Sequence, residues 1–140
     1  MNSSSLKDNI YWQLFRVCIS MKHELMLIAE KETLTVMQLY TLCLLDADSS
    51  IPMNTLSGTL HCDASNVTGI VDKLLQQELI KREENPKDRR EKMITLTKKG
   101  NKLCEKLTKT FQNLEPDILQ NLSATEKIQL QKIVTKITSA

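Results

Sequence analysis

Residues 85–100 read NPKDRREKMITLTKKG and carry six cations, Lys87, Arg89, Arg90, Lys92, Lys98 and Lys99, against two acids, Asp88 and Glu91. Of the 19 basic and 17 acidic residues in the chain, 13 and 15 lie outside this stretch, so a net charge of +2 conceals a positive patch at one place. A local patch on a near-neutral protein suits a polyanionic partner met at a single surface. A solvated loop with no partner is the other reading that charge alone leaves open.

Other reactive residue types offer less. Cys18, Cys43, Cys62 and Cys104 form no C-x-x-C pair, which argues against a zinc site. Each lies in or beside an apolar helical pattern, so most are expected to be buried, reduced thiols. Cys18, in the first helical segment, is the candidate for a redox sensor. His23 and His61 stand far from any Cys or acidic cluster, and His61 is expected in a turn. There is no Ser/His/Asp set, no pair of acids suited to a cleft and no phosphate-cradling glycine loop. The chain is expected not to be an enzyme, and no cofactor or metal is implied.

The elements that carry the patch must be mostly helical. With 41% hydrophobic and 26% charged residues the chain suits one soluble domain, and three Gly and three Pro disfavour an all-β fold of tight turns. No apolar run approaches the ~20 residues of a membrane span. MNSSSLKDN lacks a basic region followed by an apolar one, so a cytoplasmic location without membrane attachment is expected.

Residues 6–30 read as one long helix with two apolar lines. Ile10, Leu14, Val17, Cys18, Met21, Leu25 and Ile28 form a stripe expected to pack on the chain's own domain. Trp12, Phe15, Ile19 and Met26 form a second line, expected to pack on another subunit unless the core face is simply wide. Thr35 and Gln38 stand in capping-box spacing at the start of a second helix. Pro52 suits the first position of a third helix ending near Leu60, and Asp63 suits the N-cap of a fourth running to about Gln77. Two helices this tightly connected predict a helix-turn-helix. IKREE and KMITL then read as strands around an Asn-Pro turn, a hairpin with a basic tip. From Thr97 a helical period returns with Leu103, Leu107, Phe111 and Leu114, and Pro116 must interrupt it. Ser123 and Glu126 form a second capping box before a helix with Leu130, Ile133, Val134 and Ile137 on one side.

A helix-turn-helix followed at once by a basic hairpin is a winged helix. The stretch SNVTGIVDKLLQQELIKREENPKDRREKMITLTKKG resembles the MarR family of bacterial transcription regulators. The likeness lies in a V-D-x-L recognition helix, a hydrophobic-x-R strand, a D-x-R wing and a closing L-T-x-x-G. It implies a mainly α fold: a winged helix-turn-helix over 33–100, flanked by dimerisation helices at 6–30 and 101–138. The function implied is sequence-specific regulation, as a repressor, by a homodimer on a palindromic site in double-stranded DNA. Small aromatic or phenolic effectors, held between the dimer region and the winged helix, release many relatives.

On the recognition helix Val67, Ile70, Val71 and Leu74 should face inward. Ser65, Asn66 and Thr68 are then the candidate base or phosphate contacts, with Asn66 suited to adenine and Lys73 to a phosphate. The resemblance makes Arg90 the minor-groove arginine, Asp88 the acid that holds it, and Lys87 and Arg89 phosphate contacts. It also makes Trp12, Phe15, Ile19, Ile133 and Ile137 dimer residues. Two departures stand out: His61 where the family usually turns on Gly, and Gly69 where many relatives carry a longer side chain, at about 1 kcal/mol of helix stability relative to Ala. Relatives that sense peroxide place a Cys near the start of the first helix, where alignment through LTVMQLY puts Tyr11 and not Cys18. A redox regulator using Cys18 and a winged-helix protein-interaction module are the alternatives.

Overall fold

A computed structural model describes residues 5–139. Its contacts divide the chain into two units, one of residues 25–113 and one of the residues before and after them.

The 25–113 unit begins in the last turns of helix α1 (Ile10–Lys31). Helix α2 (Val36–Cys43) opens on the full capping box: Gln38 N–H donates to Thr35 Oγ1 at 3.2 Å and Thr35 N–H to Gln38 Oε1 at 2.9 Å. A short strand β1 (Ile51–Pro52) leads directly into α3 (Met53–Leu60), and α4 (Ala64–Gln76) follows. Strands β2 (Ile80–Asn85) and β3 (Asp88–Leu96) form the hairpin, and α5 (Lys98–Gln112) closes the unit. The sheet is antiparallel in the order β1-β3-β2, with Ile51 opposite Ile94 and Pro52 opposite Met93. Pro52 is therefore extended (ψ 133°) and lies one residue before the helix, not in its first position. The third strand was not expected, because two residues carry no readable period.

Three helices of this unit end through non-glycine residues in the left-handed region, Thr33 (φ 58°), His61 (φ 52°) and Glu78 (φ 59°). At each, two main-chain N–H groups return to carbonyls of the last turn; Cys62 N–H, for example, donates to Ser57 O at 3.2 Å. Such a conformation costs roughly 1–2 kcal/mol outside glycine. The turn at His61 survives the loss of the family glycine on these terms.

The core lies between the helices and one face of β3. Leu42, Leu56, Val71, Leu74, Ile94 and Leu107 are fully buried, each stabilising by roughly 1.5–3 kcal/mol relative to exposure. The buried polar Thr41 is satisfied by donating its hydroxyl to Met37 O at 2.7 Å.

In the other unit, Asn9 Oδ1 accepts from Trp12 N–H at 3.1 Å after a short 3-10 turn (Leu6–Asp8), so the first helix begins at Ile10. Helix α5 ends at Gln112, leaving Leu114 outside it, and a second 3-10 turn (Asp117–Leu119) precedes α6 (Ala124–Thr138) with its capping box at Ser123 and Glu126. Among the described residues 5–24 and 114–139 none is buried. The stripe expected to pack within the chain is exposed along Ile10, Leu14, Val17 and Met21, and only Ile28 of it is buried. The cysteines also differ from expectation: Cys18 and Cys43 are exposed and Cys62 and Cys104 half-buried.

The closing L-T-x-x-G acquires a physical reason here. Thr97 caps α5 by accepting from Gly100 N–H at 3.0 Å, and a Cβ on Gly100 would collide with the Leu79 carbonyl oxygen. Gly100→Ala is therefore expected to destabilise the protein by about 1–3 kcal/mol, measured as a lower denaturation midpoint in urea with an unchanged slope.

Candidate nucleic-acid interface

Helix α4 presents its polar side outward because Asp63 starts it in a fixed register. Asp63 Oδ1 accepts from Asn66 N–H and from the Ser65 hydroxyl, both at 2.9 Å. The Asn66 N–H, and then the Ser65 hydroxyl, hold the Asp63 carboxyl below the usual carboxylate range. Val67, Val71 and Leu74 are buried and Ile70 half-buried, while Ser65, Asn66, Thr68, Gly69 and Lys73 are exposed. The Thr68 hydroxyl donates to Ala64 O at 3.0 Å, whereas among the described residues the Asn66 carboxamide has no partner.

The hairpin tip is a two-residue turn, Pro86 and Lys87, where Lys87 N–H donates to Asn85 Oδ1 at 3.0 Å. The register then passes from Asn85 opposite Asp88 to Glu84 opposite Lys92. Arg89, Arg90 and Glu91 therefore form a bulge facing no residue of β2, an irregularity that re-aims side chains. Asp88 Oδ1 accepts from Arg90 main-chain N–H at 3.0 Å. It does not pair with the guanidinium, as "holding the arginine" would suggest; it fixes the backbone that carries it.

The six cations of the basic stretch separate. Lys92 is tied to Glu84 across the hairpin at 3.1 Å, and Lys99 Nζ donates to Gln77 O at 2.8 Å at the C-terminal end of α4. Lys98 and Lys99 lie in the first turn of α5 and outside the wing. Lys87, Arg89 and Arg90 are exposed and, among the described residues, in no ion pair. Arg82, on β2, shares that state; the sequence marked it only as part of a strand motif, and alternation from the buried Ile80 would have turned it inward, so no local signal singled it out.

The structure brings wing and helix together. Arg90, Glu91 and Lys92 line a recess of about 440 Å³ with Ala64, Val67 and Thr68 of α4 and Met53, Asn54 and Ser57 of α3. Of the other expected contacts, Ser65, Asn66, Lys73, Lys87, Asp88 and Arg89 are not part of that lining. The recess sets the Thr68 hydroxyl of α4 and the unpaired guanidinium of Arg90 along one surface, which suits base edges next to phosphates. Away from it, burial and then the nearby Cys43 push the Cys104 thiol up to about 11, and burial raises Cys43, although much of that residue is open to solvent. Both are held as neutral thiols, unsuited to nucleophilic chemistry at neutral pH.

Helix-turn-helix, basic hairpin and third strand together define a winged helix-turn-helix. The chain matches the family profile described as "MarR family" over residues 34–92. It is 30% identical to the HTH-type transcriptional regulator BilQ of Clostridium symbiosum, over 77% of this chain and 75% of that one. It is 27% identical to the HTH-type transcriptional repressor MdtR of Bacillus subtilis, over 99% and 90%. The crystal structure of wild-type apo MarR from E. coli superposes with a TM-score of 0.81 at 24% identity, covering 92% of this chain and 96% of that one, and shows the same fold. The chain belongs to the MarR family; it is a transcriptional regulator and not an enzyme.

The Asp63 cap carries a pH signature. Because its folded pKa is lowered, its contribution is full above the ordinary carboxylate range and is lost as pH falls through the lowered folded value. Asp63→Asn keeps an oxygen acceptor that does not titrate. Its melting temperature is expected to fall less than the parent's between about pH 6 and about pH 2.5 in thermal melts followed by circular dichroism.

Proposed function

We propose that the chain is a repressor that binds a palindromic DNA site as a homodimer, with α4 in the major groove and the wing in the adjacent minor groove. The observation that carries this reading is the recess where Arg90 of the wing meets Thr68 and the N-terminal turns of α4. In this arrangement Asn66 reads a base, Ser65 and Thr68 contact bases or phosphates, and Lys73, Lys87 and Arg89 contact phosphates. Arg90 enters the minor groove, where a guanidinium reads width and potential more than sequence. The DNA-binding part is 33–100, and the helices at 6–30 and 101–138 form the dimer.

The dimer is supported by a unit without a core. Phe15 (50% exposed), Ile19 (56%), Ile133 (57%) and Ile137 (60%) are large apolar side chains open to water, and Trp12 stacks on Phe15 with ring centroids 5.6 Å apart. An apolar surface of this kind is what a second copy would bury. A small aromatic or phenolic effector that releases the DNA completes this reading.

Ile19→Asp or Ile133→Asp is expected to weaken the dimer by roughly 3–5 kcal/mol, since a carboxylate without a partner would be buried in the interface. Sedimentation equilibrium at micromolar concentration should then show monomer where the parent is dimeric; a monomeric parent would remove this part of the reading.

Selection of duplexes from random DNA by the parent protein tests DNA binding and returns the site. On that site Arg90→Ala is expected to lose about tenfold or more in affinity, with only a modest change in salt slope. Asp88→Ala is expected to weaken binding and Asp88→Asn to bind nearly as the parent, because Asn retains an acceptor for Arg90 N–H. Simple charge bookkeeping predicts tighter binding by both, and that result would reduce the wing to a cationic patch.

A further inference from the structure

The first two turns of α4, from Ala64 to Val71, contain no lysine or arginine. Their exposed residues are Ala64, Ser65, Asn66, Thr68 and Gly69, all short. Side chains of this length reach base edges only when the helix backbone itself lies close to the groove floor. The Ser65 and Thr68 hydroxyls are moreover already turned back onto Asp63 Oδ1 and Ala64 O.

Gly69 stands at the middle of this surface, one turn after Ser65 and one turn before Lys73, opposite the buried Val67, Val71 and Leu74. Glycine in a helix interior is disfavoured relative to alanine, and nothing inside the chain asks for it here. Among the described residues no glycine has a positive φ, and a Cβ on Gly69 would meet no atom within 4 Å. Gly100 is the contrast, since the Leu79 carbonyl occupies the place of its Cβ. Gly58, in α3, also has open space, so free space alone assigns no role; position does.

We propose that Gly69 is a specificity-determining contact at which the main chain of α4 touches the DNA, and that the missing Cβ sets how deeply the helix seats. This rests on the DNA-binding reading above. The depth lets short side chains read bases and makes the site fit duplexes that admit a close helix. Gly69→Ala should therefore separate stability from function. On thermal melting it is expected to unfold about 2–4 °C higher than the parent. By fluorescence anisotropy on the duplex selected by the parent it is expected to bind roughly tenfold or more weakly. Gly69→Ser, which adds a Cβ with a hydroxyl, is expected to lose a similar factor. If either variant binds that duplex as tightly as the parent, or if Gly69→Ala melts lower, the proposal is overturned. A parent that selects no duplex would instead overturn the reading on which it rests.

Discussion

At the end of α4 the chain leaves the helix through a left-handed Glu78 and begins the hairpin within two residues, and the start of α5 closes on that corner. Thr97 donates its N–H to Leu79 O at 3.1 Å and its hydroxyl to Glu78 O at 2.6 Å, while Lys99 Nζ reaches Gln77 O at 2.8 Å. The close approach leaves no room for a Cβ on Gly100. One corner thus ties together the recognition helix, the first strand of the wing and the helix that follows it. These bonds satisfy carbonyls that a helix end leaves open, and the ammonium of Lys99 faces the negative end of the α4 dipole. The angle between α4 and the hairpin, and hence the distance from Thr68 to Arg90, depends on them.

Seen from this corner, the basic stretch is two groups with separate physical roles. Lys99 is structural and Lys92 is paired with Glu84, so neither adds a free charge to the wing. The exposed cations Lys87, Arg89 and Arg90 occupy the turn and the bulge, where backbone irregularity rather than strand alternation sets their direction. Asp88 belongs to the same logic: its carboxylate holds the main chain at Arg90, a task independent of its charge balance with the guanidinium. The same corner is joined to the end of α1 by a second set of bonds, in which Gln77 Nε2 donates to Thr33 O at 2.8 Å and Lys106 pairs with Glu32 at 2.6 Å. They hold the end of α1 to the winged helix, at a Thr33 that adopts a conformation β-branched residues rarely take.

Much of the fold was legible because its signals are local. The capping boxes at Thr35/Gln38 and Ser123/Glu126, the Asp63 cap and the left-handed His61 are short-range chemistry, and each stands where the spacing put it. The buried set Val67, Val71 and Leu74 followed from the helical period. Reading failed where the partner of a residue is distant or absent. Strand β1 exists only because β3 lies beside it, and two residues have no pattern of their own. The stripe from Ile10 to Met21 has a helical period, but a period cannot say whether the covering surface belongs to the same chain. The thiols read as buried for the same reason: an apolar neighbourhood in sequence does not fix depth in space.

The sequence by itself determined the main helices, the two strands of the hairpin and the caps that open α2, α4 and α6, and that this hairpin is rich in cations, since these rest on propensity, periodicity and capping within a few residues. Only the tertiary structure decided which of those cations are free. Lys92 and Lys99 find partners on other elements, 8 and 22 residues away along the chain. It also decided that Asp88 acts on a main-chain N–H and that Gly100 is compelled by Leu79, whereas Gly69 is compelled by nothing within the chain. The physical reason is common to all of these. Charge pairing and steric exclusion act over a few ångströms of space, and residues that close in space are set by packing, which no local reading of the chain contains.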